Sequence, residues 1–169
     1  PKNNLKALIR RAVREGRIIL NEEESKRFLI NYGIPTVHTR LTTRVEEALS
    51  VAKFVGYPVV LKIVSPDITY KSDVGGVAVG IGSEERLGIE YDKLMKRVKD
   101  NAPQAKLQGI TVQKMIEKID YEIILGSKKD KDFGSVILFG TGGIGVQMVR
   151  DFAVGLSPLN QTLARKLME

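Results

Sequence analysis

Residues 57–77 read YPVVLKIVSPDITYKSDVGGV, and the rest of the chain makes most sense as their support. Pro58 precedes an apolar run of Val59, Val60, Leu61, Ile63 and Val64. Rich in β-branched side chains and bounded by turn residues, the run predicts a buried strand. Lys62 interrupts it. An ammonium there must lean out of the sheet or be paired, because an isolated buried charge is costly. A polar loop follows, opening on Ser65, Pro66 and Asp67, carrying Lys71, Ser72 and Asp73, and closing on Gly75 and Gly76 before a second predicted strand at 77–81. Lysines, hydroxyls and a glycine pair between two strands suit a polyphosphate. Glycine lets backbone N–H groups approach phosphate oxygens, and lysine supplies mobile positive charge. The same residues also fit a lysine that snorkels out of an edge strand into an ordinary hairpin loop.

Composition narrows what surrounds this stretch. The chain has 169 residues, 43% hydrophobic and 28% charged, enough for one cored domain or two small lobes. The absence of cysteine excludes disulfides, thiolate zinc sites and a cysteine nucleophile. The single histidine, His38, argues against a multi-histidine metal site and is assigned a structural role. The net charge of +7 is dispersed and aromatics are few, unlike the clustered, ring-interleaved charge of nucleic-acid binders. Local lysines could equally serve a nucleotide, CoA or an acyl phosphate. No apolar run approaches the ~20 residues that span a bilayer, and the start lacks a secretory pattern. A cytoplasmic protein with no membrane partner is expected. Pro1 in first place implies that an initiator was removed. Abundant Ile, Lys and Glu without Cys or Trp suits a thermophile.

The flanking segments read as helices on a small sheet. Leu5, Leu8, Ile9, Ala12 and Val13 fall at helical spacing before Gly16. Asn21 and Glu24 form a capping-box pattern for a helix ended by Gly33 and Pro35, with a short strand at 37–41. Thr43 and Glu46 suggest another capping box, Gly56 a stop, and Ser83 the cap of a helix lined by Leu87, Tyr91, Leu94, Met95 and Val98. Residues 1–107 are expected to form one α/β lobe. Residues 108–169 form a second, incomplete one, with strands at 110–116, 121–127 and 135–139, a polar hairpin connection at 128–134, and a helix opened by Ser157 and Pro158.

Two further motifs stand in the second part. In VQKMIEKIDYEIILG (112–126), Gln113, Lys114 and Met115 end one strand and Glu122 begins the next. If the segment joins two lobes, its backbone N–H and C=O groups are open to an adenine edge, with Met115 on the ring. Glu122 could hold a ribose hydroxyl, a metal or a lysine. A plain hairpin with Glu122 on its wet face is the other reading. Gly140, Gly142 and Gly145 match G-x-G-x-x-G. The short following segment and the lack of an acidic residue about 20 positions on rule out a Rossmann unit. A phosphate-approaching turn or a flexible loop remains.

Taken together, these residues resemble the ATP-grasp β subunit or β domain of the ADP-forming (NDP-forming) acyl-CoA synthetases, relatives of succinyl-CoA synthetase. The likeness is carried by EGR-x-x-L (15–20), YGIP (32–35), YPVVLKIVSPDI-x-x-KSDVGGV, VQKM, YEIILG and DFG-x-V-x-x-FG-x-GGI, in that order. It implies an α/β (α+β) ATP-grasp fold whose two lobes clasp ATP or ADP with Mg²⁺. By resemblance, Lys62 is the grasp lysine on the α/β phosphates and the adenine side. Lys71 with Gly75 and Gly76 is the phosphate loop, Gln113, Lys114 and Met115 are the adenine hinge, and Glu122 is the carboxylate opposite the lysines. The implied reaction needs a CoA-binding α subunit that carries a phosphohistidine, which hands its phosphoryl group to ADP in a hetero-oligomer. Three departures stand out. Tyr70 replaces a usual histidine, and a phenol with pKa near 10 cannot take over its nitrogen chemistry. Gln147 replaces a glutamate. The E-x-N-P segment that supplies Mg²⁺ ligands is expected after residue 169, so the chain alone is expected to be incompetent for turnover. The alternatives are a diverged nucleotide sensor and another ATP-grasp carboxylate ligase.

Overall fold

The computed structural model describes residues 2–143 and 151–169, so Gly145 and Gln147 lie outside the described residues. The chain divides into two compact units, Pro1–Met115 and Ile116–Glu169.

The first unit holds α1 (Lys2–Arg14), α2 (Glu22–Asn31), β1 (Thr39–Thr42), α3 (Val45–Val55), β2 (Val59–Val64), β3 (Val77–Ile81), α4 (Glu84–Asn101) and β4 (Gly109–Lys114). Its antiparallel sheet runs β1-β4-β2-β3. The expected break at 107/108 gave β4 to the second lobe. Pairing on both sides, with β1 and with β2, makes β4 an interior strand of the first sheet instead.

Strand alternation divides the sheet into two faces. Val59, Leu61 and Ile63 of β2 and Ile110 and Val112 of β4 are fully buried, packed with Ala48 and Ala52 of α3 and Leu87, Leu94 and Val98 of α4. The α4 residues recur at helical spacing, so one stripe meets the sheet. Each fully buried Leu, Ile or Val there contributes about 1.5–3 kcal/mol. The opposite face carries Thr39, Lys62, Thr111 and Gln113, in paired register Thr39↔Gln113 and Lys62↔Thr111.

Local chemistry sets the helix starts. Asn21 and Glu24 form the expected reciprocal capping box at α2, and the Ser83 side chain accepts from the Arg86 N–H at α4. The box expected from Thr43 and Glu46 does not form. Arg44 is the α3 cap without a side-chain bond, and Glu47 Oε2 accepts from the Thr43 N–H at 2.9 Å. Glu47, one residue beyond Glu46 and four from Thr43, takes over the contact.

The second unit is a three-stranded antiparallel sheet, β5 (Ile123–Asp130), β6 (Gly134–Thr141) and β7 (Phe152–Leu156), with α5 (Gln161–Met168). Its hairpin is tighter than expected, pairing Asp130 with Gly134. The Asp130 carboxylate accepts from the N–H groups of Asp132 and Phe133, an Asx-type turn. The last helix is capped by Asn160, rather than opened by Ser157 and Pro158, because the Asn160 side chain accepts from the Leu163 N–H.

Candidate functional site

Alternation turns Val60, Lys62 and Val64 of β2 away from the core, and Lys62, between fully buried Leu61 and Ile63, is the one polar residue of the three. It is paired. Lys62 Nζ lies 3.0 Å from Glu22 Oε1 at the start of α2, with side-chain exposures of 26% and 19%. The same carboxylate oxygen accepts from Lys26 one helical turn on, also at 3.0 Å. Lys26 Nζ further donates to Thr39 Oγ1 at 2.6 Å and to Gln113 Oε1 at 2.7 Å. A continuous polar cluster thus runs Lys62, Glu22, Lys26, Gln113 across the sheet face opposite the core.

Burial would raise the Glu22 carboxyl, but the hydrogen bonds from Lys62 and Lys26 outweigh it and hold it below the usual carboxylate range. Burial lowers Lys26, with Glu22 opposing. Two lysines and one carboxylate leave a surplus positive charge, which suits an anion.

Lys71 shares a cavity with Glu22, the member of the cluster that lines it. A cavity of about 300 Å³ opens between residues 16–22 and 64–71, lined by Glu22, Ser65, Thr69 and Lys71 with Ile19 and Ile68 among its apolar walls. Its size suits phosphate groups better than a whole nucleotide. Larger hollows of about 480 Å³ beside Tyr70 and about 510 Å³ beside Arg14 contain neither Glu22 nor Lys71. The smaller cavity is the chemically relevant one because it joins both charges.

The glycine pair has a packing reason of its own. Gly75 has φ +67° and its N–H donates to Ser72 O, while the Gly76 N–H donates to Lys71 O at 2.7 Å. A Cβ on Gly76 would meet Ile63 Cγ1 at 2.5 Å. The pair therefore turns the loop back onto β2 and sets the position of Lys71, and in this conformation both amides are engaged within the loop. Tyr70, in place of the usual histidine, is exposed.

At 113–115 the sequence led to the expectation of an open backbone, and it is not open throughout. The Met115 N–H donates to Pro58 O at 3.0 Å, because the β2 pairing continues one residue beyond the strand. The Lys114 ammonium donates to Gly56 O and Tyr57 O, tying β4 to the end of α3. The Gln113 side chain belongs to the Lys26 cluster.

Glu122 lies in the second unit, where it meets the glycine turn. The Gly142 N–H donates to Glu122 O at 2.7 Å, and a side chain on Gly143 (φ +89°) would collide with the Glu122 carboxylate. Among the described residues no group of three or more His, Asp or Glu side chains could hold a metal ion. A Mg²⁺ carried largely on a nucleotide's own oxygens needs fewer protein ligands.

Sequence reading missed Glu22, Lys26 and Thr39. The one available signal was the i,i+4 Glu–Lys pair on α2, which by itself describes an ordinary helix surface.

Comparison with known proteins identifies the family. Residues 11–169 match the ATP-grasp domain family. The chain is 34% identical over 161 residues to the β subunit of acetate–CoA ligase [ADP-forming] II of Pyrococcus furiosus, covering 95% of this chain and 68% of that subunit. It is 38% identical over 137 residues to acetate–CoA ligase [ADP-forming] I of Archaeoglobus fulgidus, covering 81% of this chain and 20% of that protein. Among solved structures, the dinucleotide-forming acetyl-coenzyme A synthetase 1 of Ca. Korarchaeum cryptofilum, in complex with coenzyme A and Ca-AMPCP, superposes with a TM-score of 0.92 at 40% identity. That match covers 96% of this chain and 71% of the other. The chain therefore spans about two thirds of a separate β subunit and about a fifth of the longer ligase. It belongs to the ATP-grasp family, and within it matches the β-subunit region of the ADP-forming acyl-CoA ligases.

Proposed function

We propose that this chain is the ATP/ADP-binding β portion of an ADP-forming acyl-CoA ligase, which converts acyl-CoA, ADP and phosphate into acid, CoA and ATP. One observation carries the reading: a half-buried lysine on the face of β2 away from the core, held by Glu22 in a cluster of net positive charge. An arrangement of this kind fits phosphate groups.

In the proposed reaction a CoA-binding partner supplies the phosphoryl group on a histidine nitrogen. The N–P bond breaks as a β-phosphate oxygen of ADP takes the phosphorus. Lys62 and Lys71 neutralise and orient the phosphates, the share of such a transfer that falls mainly to the protein. Gln113, Lys114 and Met115 border the adenine end. Glu122 is the carboxylate we assign to the same reaction. Bound Mg²⁺ supplies charge neutralisation across the phosphate oxygens. The relatives' names point to a small carboxylic acid as the acyl source.

Calorimetric titration of ATP and ADP, each with Mg²⁺, into wild type and Lys62→Ala tests the reading. Wild type should bind both, and the substitution should weaken binding at least about tenfold, as loss of a charge-assisted contact does. Absence of binding by wild type, or equal affinity in the variant, overturns it.

A further inference from the structure

The donors around Glu22 are unequally used. An ammonium has three N–H groups. Lys26 is fully engaged: it donates to Thr39 Oγ1 and Gln113 Oε1 and forms an ion pair with Glu22 Oε1. For Lys62, Glu22 Oε1 is the one acceptor among the described residues, so two donors are left for a ligand. Lys26 is thus consumed in joining α2 to β1 and β4, while Lys62 is steadied by one bond and otherwise uncommitted.

Glu22 stands between them. It is fixed as the first residue of α2, where the Asn21–Glu24 capping box sets the chain direction, and Lys26 holds its carboxylate from one turn below. A four-carbon lysine stem is otherwise free to swing into solvent at a considerable entropic cost to any ligand that must reorder it. Without the carboxylate, Lys62 and Lys26 would also face each other as like charges.

We propose that Glu22 is the positioning residue of Lys62: it touches no ligand itself, and it preorders the Lys62 ammonium, with two donors open, for the phosphates of the nucleotide. This rests on the nucleotide-binding reading above. Lys71, which lines the same cavity as Glu22, would then meet the same phosphates with no such tether.

The test is a double-substitution cycle on the 169-residue chain, read by calorimetry with Mg-ATP, Mg-ADP and adenosine. Glu22→Gln should weaken ATP and ADP binding about tenfold, leave adenosine affinity unchanged, and add nothing on top of Lys62→Met. Thermal unfolding of each variant shows whether it is folded, and Glu22→Asp, which keeps the charge, should recover part of the affinity. If wild type binds no nucleotide, the functional reading fails. If wild type binds and Glu22→Gln binds equally well, the positioning role alone fails. Tighter ATP binding by Glu22→Gln overturns it as well, showing Glu22 to compete with phosphate for Lys62. Additive losses, or an equal loss for adenosine, reduce Glu22 to a general structural residue.

Discussion

Gly76 and Ile63 are held against each other from both ends. The Ile63 N–H donates to Gly76 O at 2.9 Å, and a Cβ on Gly76 would stand 2.5 Å from Ile63 Cγ1. Ile63 is fully buried, so it has nowhere to retreat. The carbonyl of Lys71 would lie 2.9 Å away on the other side. Gly76→Ala should therefore destabilise the chain by about 1–3 kcal/mol, in the manner of other overpacked sites. Urea unfolding would show a lower midpoint with an unchanged slope, and an unchanged midpoint would refute the packing argument.

Lys71 contrasts with Gly76. It lines the cavity beside Glu22, and among the described residues its ammonium takes part in no salt bridge. Removing it should cost the fold little, within about 0.5 kcal/mol. Lys71→Ala is expected to keep the wild-type unfolding midpoint while losing affinity for ATP in calorimetry. A matched loss of stability would show instead that the lysine is structural.

Lys114 should behave in the opposite way. Its ammonium donates to the carbonyls of Gly56 and Tyr57, next to the last turn of α3. Those acceptors lie where the helix dipole is negative. Lys114→Met keeps the stem but strands the carbonyls, and a loss of about 1–3 kcal/mol is expected. Chemical denaturation measures it directly.

Acid should loosen the junction between α1 and α2. Hydrogen bonds from Arg17 hold the Glu24 carboxyl below its usual value against the effect of burial, with help from the Asn21 N–H. A depressed carboxylate contributes stability that is fully present above its unfolded value, near 4.5, and is lost as pH falls through the lower folded value. Glu22 acts in the same direction. Unfolding midpoints should hold steady from neutral pH down to about 5 and then drop. In Glu24→Gln the drop should be shallower and the midpoint at pH 7 lower. An identical acid slope in the variant would count against the Arg17–Glu24 contribution.

Much of this architecture was legible in the chain. The apolar run around Lys62 predicts β2 and flags the one residue that interrupts it. The Asn21–Glu24 and Ser83 caps are fixed by hydrogen bonds spanning three residues, and the α4 stripe follows from helical spacing. Such features depend on near neighbours in sequence, which is why periodicity and cap chemistry reach them. The boundary of the first unit was not legible in this way, since a strand such as β4 looks the same whichever sheet it joins. The same limit explains why the glycine pair reads as a phosphate cradle in sequence but has a packing requirement in the fold.

Read alone, the residues show an ammonium interrupting a greasy strand, a lysine-bearing loop closing on two glycines, and a motif order that matches one family. What that ammonium meets is set by the packing of the folded chain. Glu22 and Lys62 stand 40 residues apart and Lys26 and Gln113 stand 87 apart. Their encounter depends on α2 lying over the face of the sheet that α3 and α4 leave open. Charges this far apart in sequence acquire a partner through packing, and no local pattern encodes which one.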